Sequence, residues 1–126
     1  MRYSKMLLDC NNNLDIYGLY EELKYFFNNN RTENAELNLG YENLELLDFE
    51  VPEEGVEQIS YVFLTKEEPP KAWLENMARK YPKLEFYLVY QNREKDIDGE
   101  LIYKNGVLYN SIEENWKNDF AIQVEY

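Results

Sequence analysis

Between Gln58 and Tyr90 the hydrophobic period changes twice, and this limits the fold more than any other feature of the chain. Ile59, Tyr61 and Phe63 alternate with Val62 and Leu64, the two-residue period of a strand. Trp73, Met77 and Tyr81 then recur every fourth residue, with Leu74 and Ala78 beside them, which is the spacing of a buried helix face. Leu84, Phe86, Leu88 and Tyr90 return to alternation. Pro70 opens the helical run, where a missing N–H leaves no bond unmade, and Pro82 stops it. The spacing predicts a strand, a helix and a strand. The first strand is apolar on both sides, which suits the interior of a sheet.

The flanking segments extend this pattern. Arg2–Asp9 reads as a first strand with Met6 and Leu8 on its core side, and Asn11-Asn12-Asn13 as a turn that caps a helix. Ile16, Tyr20, Leu23 and Phe27, joined by Leu19 and Phe26, predict that helix, and Asn28-Asn29-Asn30 ends it. In Tyr41–Val51 the pair Leu44 and Leu46 is out of phase with Leu47, Phe49 and Val51. A one-residue bulge between Leu46 and Leu47 would put all five on one face. Pro52-Glu53-Glu54-Gly55 is a turn. Asn105-Gly106 joins Asp98–Lys104 to Val107–Ser111 as a hairpin, Glu113–Lys117 reads as a helical turn, and Phe120–Tyr126 as a closing edge strand. The expected class is α+β: one ferredoxin-like domain spanning 1–126, an antiparallel sheet with two helices on one face, plus a C-terminal hairpin and edge strand. A length of 126 residues leaves room for one domain.

A family resemblance sits on the same stretch. Phe63-Leu64-Thr65, Pro69-Pro70, Trp73-Leu74, Ala78, Tyr81-Pro82, Leu84, Phe86, Leu88, Tyr90, Gly99 and Gly106 follow one another in a pattern similar to the YubB-type ferredoxin-like domain of phage, plasmid and other mobile-element proteins. The likeness covers Phe63 to Gly106 well and the rest loosely. Tyr90 is followed here by Gln91 where that family tends to place an acid, and the Thr32–Ser60 region is short and acidic where it often has a further Trp-containing segment. The resemblance implies a fold and a mobile-element origin, but no reaction. Each residue also has a packing role: the prolines bound a helix, Trp73 and Tyr81 seat it on the sheet, and Gly99 and Gly106 make turns.

The chemistry available is narrow. The chain has no histidine and one cysteine, Cys10. Histidine acid–base catalysis, Ser-His and Cys-His nucleophiles, a disulfide within the chain and most zinc sites are thereby removed. No basic residue near Cys10 in sequence lowers its pKa, so a structural thiol is expected. Asn92–Glu100 spaces oxygen-bearing side chains as calcium loops do. Aligned on Gly99, however, its first ligand is Glu94, its twelfth is Asn105, and a hairpin follows where a helix should. An acidic strand-connecting loop is expected there. No enzyme activity, cofactor or metal is expected.

Charge carries the functional expectation. The net charge is −12, and Thr32–Ser60 holds nine acids without a lysine or arginine. Glu42, Glu45, Asp48, Glu50, Glu53, Glu54 and Glu57, with Tyr41 as an aromatic anchor, are the candidate partner-binding residues. Carboxylates in a row can stand in for phosphates against lysines and arginines. The expected function is a non-enzymatic, acidic protein-binding module of a phage or mobile element. Its most concrete version is an anti-CRISPR-like inhibitor, a nucleic-acid mimic in the basic groove of a host defence complex. The alternatives are an accessory ferredoxin-like domain and an RNA binder stacking bases on sheet aromatics. The charge disfavours direct nucleic-acid binding. No apolar run approaches the roughly 20 residues of a membrane span, and the bacterial host cytoplasm is the expected compartment.

Overall fold

The computed structural model of the chain describes residues 9–31 and 44–115. The elements in order are β1 (Cys10–Tyr17), α1 (Tyr20–Asn29), β2 (Leu44–Phe49), β3 (Gln58–Thr65), α2 (Lys71–Lys80), β4 (Glu85–Asn92), β5 (Ile97–Lys104) and β6 (Val107–Asn115). The six strands form one sheet in the order β2-β3-β1-β4-β5-β6, antiparallel at every pairing. The first four strands and two helices make the β-α-β-β-α-β unit, with the outer strand of each half split from its mate by a strand of the other. The β5–β6 hairpin then widens the sheet beyond β4.

Both helices cover the same face. Leu23, Phe26 and Phe27 of α1 and Trp73, Leu74, Met77 and Ala78 of α2 are buried against inward residues of the strands. Phe26 is the hub: its ring meets those of Tyr61, Trp73, Tyr81 and Phe86 edge-on at 5.2–6.5 Å. Rings prefer this arrangement because the positive edge of one meets the negative face of the next. Asn30 closes α1, its amide donating to the carbonyl of Phe26 at 2.9 Å and to the Tyr81 hydroxyl at 3.2 Å.

The middle of the chain folds as its periods predict, but the start does not. The first described strand is Cys10–Tyr17, so the Asn triplet is strand and not a helix-capping turn. Residues 2–8 of the expected first strand lie outside the described residues. Cys10, Asn12, Leu14 and Ile16 point into the core. Asn12 survives there because its amide donates to Thr65 Oγ1 at 2.9 Å, with Cys10 O and Phe63 O at 3.3 and 3.4 Å. A buried amide with partners costs little, whereas one without costs about 1–3 kcal/mol. Ile16 belongs to β1, and α1 begins only at Tyr20.

The bulge in β2 is present, with the register shifting between Leu46 and Asp48. It puts Leu44, Leu46 and Phe49 against the core but leaves Leu47 and Val51 exposed, so three of the five expected residues share the face. Asn105 (φ 55°) and Gly106 (φ 80°) form the expected hairpin turn, both left-handed as that turn requires. Gly99, expected in a turn, lies inside β5. Glu113–Asn115, expected as part of a helical turn, continue β6. Tyr103 of β5 is buried. The expected edge strand at Phe120–Tyr126 falls outside the described residues.

Candidate protein-binding face

Strand alternation sends every second side chain to the sheet face that no described helix covers. The pairing registers arrange these residues in four rows across the strands. One row runs Glu45, Leu64, Asn11, Gln91, Asp98, Glu114. The next runs Asp48, Val62, Asn13, Val89, Glu100, Ile112. Ser60, Asp15, Tyr87, Ile102 and Asn110 follow, and Gln58, Tyr17, Glu85, Lys104 and Val107 complete the set.

These rows hold seven carboxylates, from Asp15, Glu45, Asp48, Glu85, Asp98, Glu100 and Glu114, and one ammonium, from Lys104. The Ser60 hydroxyl donates to Asp15 Oδ1 at 2.6 Å, which fixes that carboxylate in the middle of the sheet. Val62, Val89 and Ile112 alternate with Asn13 and Glu100 along one row of the same face, and Val89 and Ile112 are about half exposed.

Aromatics collect at the end near Lys104. Tyr17 and Tyr87 meet edge-on at 5.1 Å. The Lys104 ammonium lies 4.3 Å from the centre of the Tyr109 ring and 5.8 Å from that of Tyr87. Tyr87 donates from its hydroxyl to Glu85 Oε1 at 3.3 Å. A hydrogen bond with Tyr87 is the main cause that holds Lys104 above the ordinary lysine range, so it stays charged. Burial, then Asp15 and Tyr87, push the Tyr17 hydroxyl up, so it stays neutral.

Of the residues expected to bind a partner, Glu45 and Asp48 lie on this face. Glu50 follows β2, its amide bonded to Ser60 O, and Glu53, Glu54 and Glu57 are exposed in the β2–β3 connection. These four therefore rim the sheet edge. Tyr41 and Glu42 fall outside the described residues. Asp15, Glu85, Asp98, Glu100 and Glu114 were not expected, since strand register alone brings them together. A family model described as the ferredoxin-like domain in Api92-like protein matches residues 47–125. The chain belongs to this family. The match begins in β2 and takes in β3, α2, β4, β5 and β6, which contribute most of the open face. No curated protein and no solved structure matches the chain.

Two other expectations for this Api92-like ferredoxin-like domain resolve on the same sheet. Asn92–Glu100 is the β4–β5 hairpin: Asn92 ends β4, its Oδ1 accepts from the Lys95 amide at 3.1 Å, and Asp96 turns with φ 54°. Cys10 is fully buried at the head of β1, and burial pushes its thiol up to about 11. In the folded protein it stays protonated at neutral pH, and only the thiolate attacks disulfides. Cys10 should therefore stay unreactive to an aromatic disulfide reagent under native conditions and react fully in denaturant; a fast native reaction would contradict this burial. Because the folded pKa lies above the unfolded value, the unfolded chain ionises first. This thiol's contribution to stability is present below pH 9 and is lost between about 9 and about 11.

No helix among the described residues is long and apolar enough to cross a membrane.

Proposed function

We propose that this Api92-like ferredoxin-like domain is a non-enzymatic binding module that docks a basic protein surface on its open sheet face. The observation that carries this reading is the charge of that face, seven carboxylates to one ammonium. Such a field draws lysine- and arginine-rich surfaces at long range and repels phosphates. The Tyr17–Tyr87–Tyr109 cluster beside it supplies the large, stiff side chains that dominate binding energy at interfaces. The partner this chemistry suits best is a protein groove that otherwise holds nucleic acid. In the concrete version, consistent with a resemblance to mobile-element proteins, the domain is an anti-CRISPR-like inhibitor acting in the bacterial host cytoplasm. Glu50, Glu53, Glu54 and Glu57 extend the field around the sheet edge.

The test is capture of partners from bacterial lysates that contain nucleic-acid-guided defence complexes, at low and high salt. Wild-type protein is expected to retain a basic nucleic-acid-binding protein that salt releases. Reversal of Glu45, Asp48, Glu100 and Glu114 to lysine abolishes the capture, and Tyr17→Ala with Tyr109→Ala weakens it at low salt as well. Equal capture by the reversed protein sinks the proposal. Reversal of Glu50, Glu53, Glu54 and Glu57 to lysine tests the edge separately from the face.

A further inference from the structure

On the opposite side of the sheet, between the β3–α2 connection and the ends of β4, β5 and β6, lies a cleft of about 220 Å³. That is below the roughly 300–1,000 Å³ of most small-molecule pockets and suits a single side chain. Tyr90 and Ile97 line it, with Pro69 at one side. Its charged groups are Glu67, Glu68, Glu113, Lys71 and Lys95.

The cleft is held firmly. Tyr90, Gly99 and Glu113 are neighbours in one row of the sheet, and the Tyr90 ring lies across Gly99 to reach the far strand. Its hydroxyl donates to Glu113 Oε1 at 2.6 Å, which orients that carboxylate. The opposite wall is pinned at its backbone. The Glu67 amide donates to Asp9 Oδ1 at 2.7 Å, and its carbonyl accepts from Asn92 Nδ2 at 2.8 Å. The Glu68 carbonyl accepts from Thr65 Oγ1 at 2.6 Å.

The chain itself indicates what such a cleft takes. The Lys71 ammonium lies 3.8 Å from Glu113 Oε1 and 6.0 Å from the centre of the Tyr90 ring. A carboxylate and a ring face together are the elements of an alkylammonium or guanidinium receptor. Lys71 holds the position loosely, with its side chain about half exposed, as is that of Glu113. When Lys71 swings out, the Glu113 carboxylate is left without its ammonium, in a cleft whose other charged lining residues are Glu67, Glu68 and Lys95.

We propose that this cleft is a receptor for one guanidinium or alkylammonium side chain of a polypeptide, and that Lys71 is its internal, displaceable occupant. The cleft faces away from the acidic sheet face, so the proposal stands without the function proposed for that face. Arginine is the better fit of the two. Its planar fork can bond the Glu113 carboxylate at two points while its methylene stem covers Ile97 and Pro69.

The test is an NMR titration of the full chain with an arginine capped at both ends, against the isosteric, neutral capped citrulline. The expected result is that arginine, and not citrulline, shifts the Gly99 and Glu113 amides. Lys71→Met is expected to tighten arginine binding about threefold to fivefold, the scale of one exposed ion pair. Glu113→Gln, which still accepts from Tyr90, removes the shifts. Agmatine is titrated beside them: preference for capped arginine assigns the site to protein side chains, and preference for agmatine assigns the same chemistry to a free small cation. Equal shifts from citrulline overturn the proposal without needing any variant. Unchanged affinity in Lys71→Met overturns the role given to Lys71.

Discussion

Phe26→Ala is expected to remove about 3–5 kcal/mol of folding stability, the range for truncating a fully buried aromatic side chain. The ring is completely buried and touches four others drawn from both helices' packing partners: Tyr61 on β3, Trp73 on α2, Tyr81 just beyond α2 and Phe86 on β4. Two terms add. The transfer free energy of the ring is lost, and the hole left behind cannot collapse, because its walls are rigid rings fixed to three different elements. A domain of this size has about 5–15 kcal/mol in all, so a large part of it would go. Urea unfolding followed by tryptophan fluorescence reads the effect directly, since Trp73 lies against the deleted ring. Leu19→Ala, on a residue 65% exposed at the start of α1, should change stability by less than about 1 kcal/mol. A loss below about 1.5 kcal/mol for Phe26→Ala would show that the ring cluster is not the centre of the core.

The contrast between those two positions shows what can be read from sequence. Phe26 and Trp73 declare themselves by helical spacing, and Ile59, Phe63, Phe86 and Leu88 by alternation, because burial on one face leaves a periodic trace. The strand Cys10–Tyr17 leaves none, since two of its four inward residues are Cys10 and Asn12. Asn12 is tolerated only because Thr65 and two carbonyls, more than fifty residues away or on its own strand, meet its amide. No local pattern encodes that. Ile16 happens to fall four residues before Tyr20, so a strand residue and a helix residue together imitate one helical face.

The candidate face is less legible still. The acidic run between Thr32 and Ser60 is visible by eye, yet only Glu45 and Asp48 of its described members lie in the rows of the open face. The other five carboxylates come from β1, β4, β5 and β6. Each looks like an ordinary polar residue in an alternating strand. Strand order and register, which depend on contacts between distant segments, convert them into one field.

Gly99→Ala carries the second large effect, and it is one that a strand glycine would not normally predict. In β5 the substitution should help slightly, because alanine reduces the freedom of the unfolded chain. Here a methyl group would stand 2.0–2.5 Å from Tyr90 Cζ, Oη and Cε2, far inside contact distance. The ring must lift away, which breaks its 2.6 Å hydrogen bond to Glu113 and exposes part of a side chain now only 3% exposed. Overpacking of this kind costs about 1–3 kcal/mol, and the lost hydrogen bond to a charged group adds about 1.5–3. A net loss of about 2–4 kcal/mol is expected. The argument rests on one pair of residues, so a double-mutant cycle isolates it. In a Tyr90→Ala background the obstructing ring is gone, and Gly99→Ala should become neutral or mildly stabilising. The coupling between the two sites should therefore exceed about 2 kcal/mol, near the upper part of the range for residues in contact. Additive effects would mean that Gly99 is needed for its backbone and not for the ring laid across it. Its φ is not left-handed, unlike those of Gly55 and Gly106, which leaves the ring as the physical reason for a glycine there.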